Sequence, residues 1–269
     1  MSDINLAAAQ AYEDALVAPL FEPWARRAVE MANPLPGEII LDLACGTGIG
    51  VRLMSPLVGE SGKVISVDND PAMVSVAKEL FAKTDGEYKV KTEWFNCGAE
   101  SLVLKPNHLD LCTLFQGPNF LLDPKKVLKA VLVSLKPGGR VVGSAWGKIE
   151  QNKGHFAIAS ALEKLGFQPA LKPFSMGSPE ILRDVFVGSG FIIEKFCTEQ
   201  KIISFNSVKD FVSGVAAGAP ATRHAISQLD ESAYKIFFKM VEEALSKYSN
   251  INGVELPTEA HIVLAVPAA

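Results

Sequence analysis

The chain has 269 residues, of which 48% are hydrophobic and 21% are charged, so it can form a globular protein with a sizeable core. Its formal net charge is −4 and its basic residues are scattered, which argues against a nucleic-acid partner and an anionic membrane surface. We therefore expect a small-molecule substrate. Nothing in the composition indicates an oligomeric state.

Cysteine usage and the chain start bear on the cellular setting. The four cysteines form no C-x-x-C pair and lie in or beside apolar runs, so we expect buried thiols and no metal site. The first residues lack the charged start and apolar stretch of a signal peptide. No apolar run reaches the roughly 20 residues that cross a bilayer. The sequence therefore predicts a reduced, cytoplasmic protein without an integral membrane segment.

Short apolar runs alternate with helical patterns along the first 150 residues. Before the first strand, Asn5–Ala32 is predicted as one or two helices packed over the edge of a sheet. Asp85 is expected on a solvated turn. The predicted strands are Glu38–Leu43, Lys63–Val67, Lys91–Asn96, Leu109–Phe115 and Arg140–Ala145. The predicted helices between them are Ile49–Leu57, Pro71–Phe81 and Pro124–Leu135.

The second half has a different rhythm. It is predicted to hold helices at Gly154–Leu165 and Pro179–Gly188, a long strand at Phe191–Phe205, a mostly helical segment at Ser207–Tyr248 and a last strand at His261–Val266. Alternating strands and helices predict parallel strands joined by right-handed crossovers. We therefore predict an α/β fold with a doubly wound, mostly parallel seven-stranded sheet, N-terminal helices and a helical lid inserted before the last strand.

We expect one domain, 1–269, with five parts. These are an N-terminal helical cap (1–36), a cofactor-binding core (37–146), substrate-side helices with the sixth strand (147–206), a helical lid (207–258) and the last strand (259–269).

The strongest chemical signal is the segment Ile39–Gly48, which reads IILDLACGTG. It predicts a buried strand followed by a glycine-rich turn and a helix, and ligands of open α/β sheets bind where strands end. Gly46 and Gly48 let the backbone turn sharply and approach a ligand closely. Asp42 stands at the end of this strand, where its carboxylate could orient the turn or bind a ligand's ammonium group through water. Asp68 ends the second strand, a position that suits hydrogen bonds to ribose hydroxyls.

Nicotinamide-dependent oxidoreductases share these features, so they are the first alternative. Their fingerprint G-x-G-x-x-G has a third glycine that lets helix and strand pack closely around a pyrophosphate. That position is Val51 in this sequence. A ligand without phosphates fits better.

Five motifs in chain order resemble those of class I S-adenosylmethionine-dependent methyltransferases. Leu41–Gly48 is similar to the first motif in the form common in the methyltransferase type 11, ubiquinone/menaquinone-biosynthesis-like group. The stretches that resemble the later motifs are Val64–Met73, Cys97–Leu102, His108–Phe120 and Leu135–Arg140. The resemblance implies a Rossmann-like methyltransferase with S-adenosyl-L-methionine as cofactor. One departure is Gly98, where the family usually has an aspartate that contacts adenine.

The resemblance also implies a role for individual residues. The glycine turn would run beneath the methionine part, Asp68 would hold the ribose, and Phe115 and Gln116 would face the ammonium and the sulfonium. Asn69 and Met73 would flank adenine, with Glu100 as a replacement for the missing aspartate. The full set of implied cofactor-binding residues is Asp42, Ala44, Gly46, Thr47, Gly48, Asp68, Asn69, Met73, Gly98, Ala99, Glu100, Phe115 and Gln116.

The acceptor side carries fewer signals. Methyl transfer from a sulfonium is an in-line displacement, so alignment can supply much of the catalysis and a base is needed only if the acceptor must lose a proton. His155 is the candidate for such a base. Tyr12, Trp146 and His155 are the candidate substrate-pocket residues. We expect an apolar or aromatic acceptor methylated on oxygen, carbon or nitrogen. A non-catalytic protein that binds S-adenosylmethionine is the second alternative.

Overall fold

A computed structural model describes residues 3–84 and 90–268 of the chain, so Asp85 lies outside the described residues. The strands are β1 Ile39–Leu43, β2 Lys63–Asp68, β3 Lys91–Asn96, β4 Leu109–Leu114, β5 Leu135–Trp146, β6 Phe191–Phe205, β7 Ser249–Asn250 and β8 Gly253–Pro267. The helices are α1 Asp3–Tyr12, α2 Glu22–Ala32, α3 Ile49–Val58, α4 Pro71–Ala82, α5 Pro124–Ser134, α6 Lys153–Lys164, α7 Pro179–Val187, α8 Val208–Gly218, α9 Pro220–Ser227 and α10 Glu231–Leu245. A π-helical segment, Glu13–Phe21, joins α1 to α2.

The sheet has the strand order β3-β2-β1-β4-β5-β8-β6, with the two-residue β7 paired to β8. Strands β1 to β5 are parallel, and β8 runs antiparallel to both β5 and β6. This confirms the predicted doubly wound, mostly parallel α/β sheet. Because the parallel strands share one direction, the ends of β1, β2 and β4 meet at one edge.

The central strands β1, β2 and β4 are buried on both faces of the sheet. Neighbouring residues of β1 point to opposite sides, so Ile40 and Leu41 are fully buried in two separate hydrophobic clusters. One cluster holds α2, α3, α6 and the lid helices, and the other holds α5 and α7. Strands buried on two faces read as continuous apolar runs. That is why their positions could be predicted from sequence.

The N-terminal helices lie between the sheet and the lid. Ala9 packs against Ala72 and Val76 of α4. On the other side, Gly218 of α8 stands so close that a Cβ there would lie 2.6 Å from the Leu16 side chain. The N-terminal cap therefore packs between α4 and α8, at the edge where the parallel strands end.

The lid segment contains three helices, α8, α9 and α10, and α8 and α9 are separated between Gly218 and Pro220. The last strand begins earlier than predicted, because β8 starts at Gly253 rather than at His261 and pairs with β6 from Val254 onward. The misplaced start has a local cause, since alternating exposed and buried residues at 253–259 carry little continuous apolar signal.

Among the described residues, none of the helices combines the length and the apolar character that crossing a membrane requires.

Candidate functional site

The turn after β1 has an unusual backbone. Ala44, Gly46 and Gly48 all have positive φ angles, of 54°, 54° and 83°. An added Cβ at Gly46 would meet nothing within 4 Å, whereas one at Gly48 would lie 3.2 Å from the Cβ of Ala77. Gly48 therefore permits close packing of the turn on α4, and Gly46 leaves open backbone at the surface of the turn. Positive φ at a non-glycine residue such as Ala44 is typical of functional sites.

Asp68 holds the turn in place. Its Oδ2 accepts a hydrogen bond from the Gly46 amide at 2.8 Å, and its Oδ1 accepts one from the Asp70 amide at 2.9 Å. Burial raises the pKa of the Asp68 carboxyl, and the two amide bonds oppose that rise. Each carboxylate oxygen has a second lone pair, so Asp68 can accept ligand hydroxyls without releasing the turn.

Asp42 has a buried carboxylate group in which Thr113 satisfies only one of the two oxygens. Its side chain is 2% exposed, and its Oδ1 accepts a hydrogen bond from the Thr113 hydroxyl at 2.7 Å. Its Oδ2 has no partner among the described residues. Burial, opposed by the Thr113 bond and reinforced by the charge of Asp68, raises the pKa of Asp42 to about 7.

Gly50 explains why three glycines occur in this segment. An added Cβ at Gly50 would lie 2.8 Å from Asp42 Oδ2 and 3.2 Å from Phe115 Cδ2. The glycine therefore makes room for the carboxylate beside the first turn of α3, where the helix dipole favours negative charge. Sequence reasoning assigned no role to this residue.

Other buried polar atoms without partners lie near the ends of β1 and β4. Gln116 is 8% exposed and has a φ of 54°, and within the described part of the chain neither its amide oxygen nor its amide nitrogen has a partner. Its backbone N–H donates to the Ser144 hydroxyl at 3.0 Å, which fixes the strained turn. Thr47 Oγ1 and Asn119 Oδ1 are likewise buried and unpartnered among the described residues. Leaving such groups unpaired costs about 1–3 kcal/mol each, so their concentration here indicates a polar ligand site.

The residues expected near adenine occupy varied surroundings. Asn69 is exposed, and Met73 packs against the small cluster of Ala9, Ala72 and Val76. Glu100 Oε1 accepts a hydrogen bond from the Leu122 amide at 2.7 Å, which ties it to the segment after β4. Gly98 and Ala99 lie beside it, half-buried. The cofactor contacts of these residues stay predictions.

The candidate acceptor residues lie in two aromatic groups. Tyr12 contacts Phe21 with ring centroids 4.9 Å apart, and Phe21 meets the edge of Trp146 at 5.9 Å. Trp146 is 5% exposed and also packs against Trp24 at 6.2 Å, so much of it belongs to the core. The structure thus brings Tyr12 and Trp146 together through Phe21, a residue that sequence reasoning did not assign.

His155 lies in the second group. Its ring centroid is 5.4 Å from that of Phe174 and 5.5 Å from that of Phe211 on the lid helix α8. Burial lowers the pKa of His155 to about 4, so the imidazole is neutral at physiological pH. Phe174 belongs to the short turn Lys172–Phe174. In this turn the Pro173 carbonyl oxygen accepts a hydrogen bond from the side-chain amide of Asn119.

Comparison with known proteins identifies a family that this chain matches. A family model described as the ubiE/COQ5 methyltransferase family matches residues 11–163. A ubiquinone/menaquinone biosynthesis C-methyltransferase from Hydrogenovibrio crunogenus is 30% identical over 128 residues, covering 48% of this chain and 50% of the relative. A demethylmenaquinone methyltransferase from Lactococcus lactis is 38% identical over 119 residues, covering 44% and 46%. The aligned region therefore spans about half the length of these curated relatives.

A solved structure extends the similarity of fold to nearly the whole chain. Phosphoethanolamine N-methyltransferase 2 from Haemonchus contortus, in complex with S-adenosyl-L-methionine, matches with a TM-score of 0.57 at 19% identity. The match covers 97% of this chain and 57% of that one. Together with the family match, it confirms the predicted Rossmann-like methyltransferase fold.

Proposed function

The chain belongs to the ubiE/COQ5 methyltransferase family, its cofactor is S-adenosylmethionine, and we propose that it transfers a methyl group to a small, largely apolar or aromatic acceptor. The observation that carries the proposal is the set of buried, unpartnered polar atoms where β1 and β4 end. When bound, the cofactor supplies an electrophilic methyl group on a positively charged sulfur, which an acceptor atom displaces in line.

The charges at this edge of the sheet fit such a cofactor. Asp42 and Asp68 are both buried carboxyl groups with raised pKa values, and the charge of Asp68 contributes to the rise at Asp42. A ligand that brings positive charge favours ionisation of both, because opposite charge stabilises the ionised form. A pyrophosphate, which is negatively charged, would disfavour ionisation of both carboxyl groups. Val51, in place of the third fingerprint glycine, also argues against a dinucleotide.

The aromatic surroundings support an apolar acceptor. Tyr12 and Phe21 of the cap and Phe174 of the turn before α7 are only partly buried, so aromatic rings from two separate elements are available to an acceptor, while Phe211 of the lid is fully buried beneath His155. An apolar enclosure excludes water and does not penalise dispersal of the sulfonium charge. The names of the curated relatives refer to quinone biosynthesis, which is compatible with an aromatic acceptor.

In this proposal the chain acts mainly by alignment. Asp68 and the glycine turn fix the cofactor, while cap and lid hold the acceptor, and this positioning removes much of the entropic barrier. His155 stays neutral because burial lowers its pKa to about 4. An imidazole with so low a pKa is a weak general base at neutral pH, which favours an acceptor that is already nucleophilic.

Transfer of a radiolabelled methyl group tests the proposal. Purified protein is incubated with labelled cofactor and, in separate reactions, with phenols and hydroquinones, small amines, tRNA and a protein mixture. We expect label on at least one of the small aromatic acceptors and none on the macromolecules. Robust labelling of tRNA or protein alone would overturn the acceptor class. Binding of the cofactor with no transfer to any acceptor would instead indicate a non-catalytic cofactor-binding protein.

A further inference from the structure

Glu13, in the N-terminal cap, has a carboxylate that is only half satisfied. Its Oε1 accepts a hydrogen bond from Arg52 Nη2 at 2.6 Å, and its side chain is 15% exposed. Its Oε2 is buried and has no partner among the described residues. Glu13 is also the first residue of the π-helical segment, a kind of irregularity that is frequent at functional sites.

Arg52 links this carboxylate to the glycine turn. Its Nη1 donates to the Thr47 carbonyl oxygen at 2.6 Å, while its Nη2 holds Glu13. The arginine, 17% exposed, therefore sets the position of the Glu13 carboxylate relative to the turn. Burial raises the pKa of the neighbouring Tyr12, and the negative charges of Glu13 and Asp68 add to that rise.

A buried carboxylate oxygen without a partner is costly, and a charged donor compensates that cost best. The ribose and adenine of S-adenosylmethionine carry only neutral donors, whereas its amino-acid part carries an ammonium group with N–H donors. We propose that Glu13 binds this ammonium group and that Arg52 is its positioning residue. The inference rests on the proposed function. It adds a cofactor contact from outside the sheet, supplied by the cap.

The test compares two ligands that differ in the amino-acid part. S-adenosylhomocysteine contains it, and 5′-methylthioadenosine lacks it. For Glu13→Gln, calorimetry should show S-adenosylhomocysteine binding about 10- to 100-fold more weakly, the usual effect of losing a charged hydrogen bond, with methylthioadenosine affinity unchanged. The amide oxygen of glutamine can still accept from Arg52, so the cap should stay in place. Glu22→Gln is the matched control, because Glu22 lies in the same cap and also pairs with an arginine, Arg26.

Arg52→Lys provides a second measurement. It replaces the guanidinium group, which holds Glu13 and the Thr47 carbonyl at the same time, by a single ammonium group. The variant should therefore bind S-adenosylhomocysteine more weakly relative to methylthioadenosine, but the loss should be smaller than for Glu13→Gln. Equal losses for both ligands in Glu13→Gln, or no loss for either, would overturn the inference. Wild-type protein that fails to bind S-adenosylhomocysteine would instead contradict the proposed function. If the wild type binds both ligands and Glu13→Gln leaves the ratio of their affinities unchanged, only the role of Glu13 is refuted and the proposed function stands.

Discussion

Replacing Asp42 by asparagine should raise the stability of the ligand-free protein while weakening its affinity for the cofactor. Asp42 is 2% exposed, Thr113 satisfies only one of its carboxylate oxygens, and burial raises its pKa to about 7. The folded state therefore retains a proton that the unfolded chain releases near the ordinary aspartate pKa of 3.8. As pH rises from about 4 to about 7, folding stability falls, and above that window the loss is complete.

The size of the effect follows from the pKa. A rise from 3.8 to about 7 corresponds to roughly 4 kcal/mol at about 1.4 kcal/mol per pKa unit. Asparagine removes this loss but introduces an amide N–H in place of Oδ2, which costs about 1–3 kcal/mol if it stays unpaired. The expected net gain for Asp42→Asn is therefore about 1–3 kcal/mol above pH 7, and it turns into a net loss toward pH 4, where only the cost of the unpaired amide remains.

Urea unfolding at pH 5 and pH 8 measures this gain directly. Asp184→Asn is the control for the removal of a carboxylate from the protein surface, since that side chain is 71% exposed. Calorimetry at pH 8 should show the Asp42→Asn variant binding S-adenosylhomocysteine about tenfold more weakly, because it lacks the negative charge. A variant that is no more stable than wild type at pH 8 would refute the idea that Asp42 is a desolvated carboxylate.

Three further predictions follow from the site. Gly50→Ala should lower the free energy of unfolding by about 1–3 kcal/mol in urea titrations, because its Cβ would lie 2.8 Å from Asp42 Oδ2; unchanged stability would show that the carboxylate moves freely. His155→Phe should preserve cofactor affinity and keep turnover within about tenfold, whereas a hundredfold loss of turnover would make His155 the general base. Hydrogen exchange across 208–245 should slow when S-adenosylhomocysteine and an acceptor bind together, and equal exchange in both states would indicate a rigid insertion.

Local patterns predicted the parts of the site that lie within one strand and its turn. Asp42, the glycine turn and Asp68 follow buried strands directly, so their positions at a shared sheet edge result from the parallel topology. Gln116 also comes just after a buried strand, β4, but its place in the site was implied by the resemblance to methyltransferases. Because the alternation of strands and helices alone defines this edge, sequence reasoning could place these residues together.

Contacts between distant segments could not be predicted. Glu13 and Arg52 are 39 residues apart, and Asn119 reaches Pro173 across 54 residues. No periodicity or motif links such partners, because their proximity depends on how the cap and the substrate-side loops pack on the sheet. Gly50 is a different case. Its role depends on a side chain of the preceding strand, so a glycine at that position reads as an ordinary helix residue until the carboxylate is located.

The most direct test of the account is a calorimetric titration of the wild-type protein with S-adenosylhomocysteine and, separately, with NAD. If the edge formed by β1, β2 and β4 is a site for S-adenosylmethionine, S-adenosylhomocysteine should bind at one site per chain. NAD should give no heat of binding. Saturable binding of NAD with no response to S-adenosylhomocysteine would contradict the central claim.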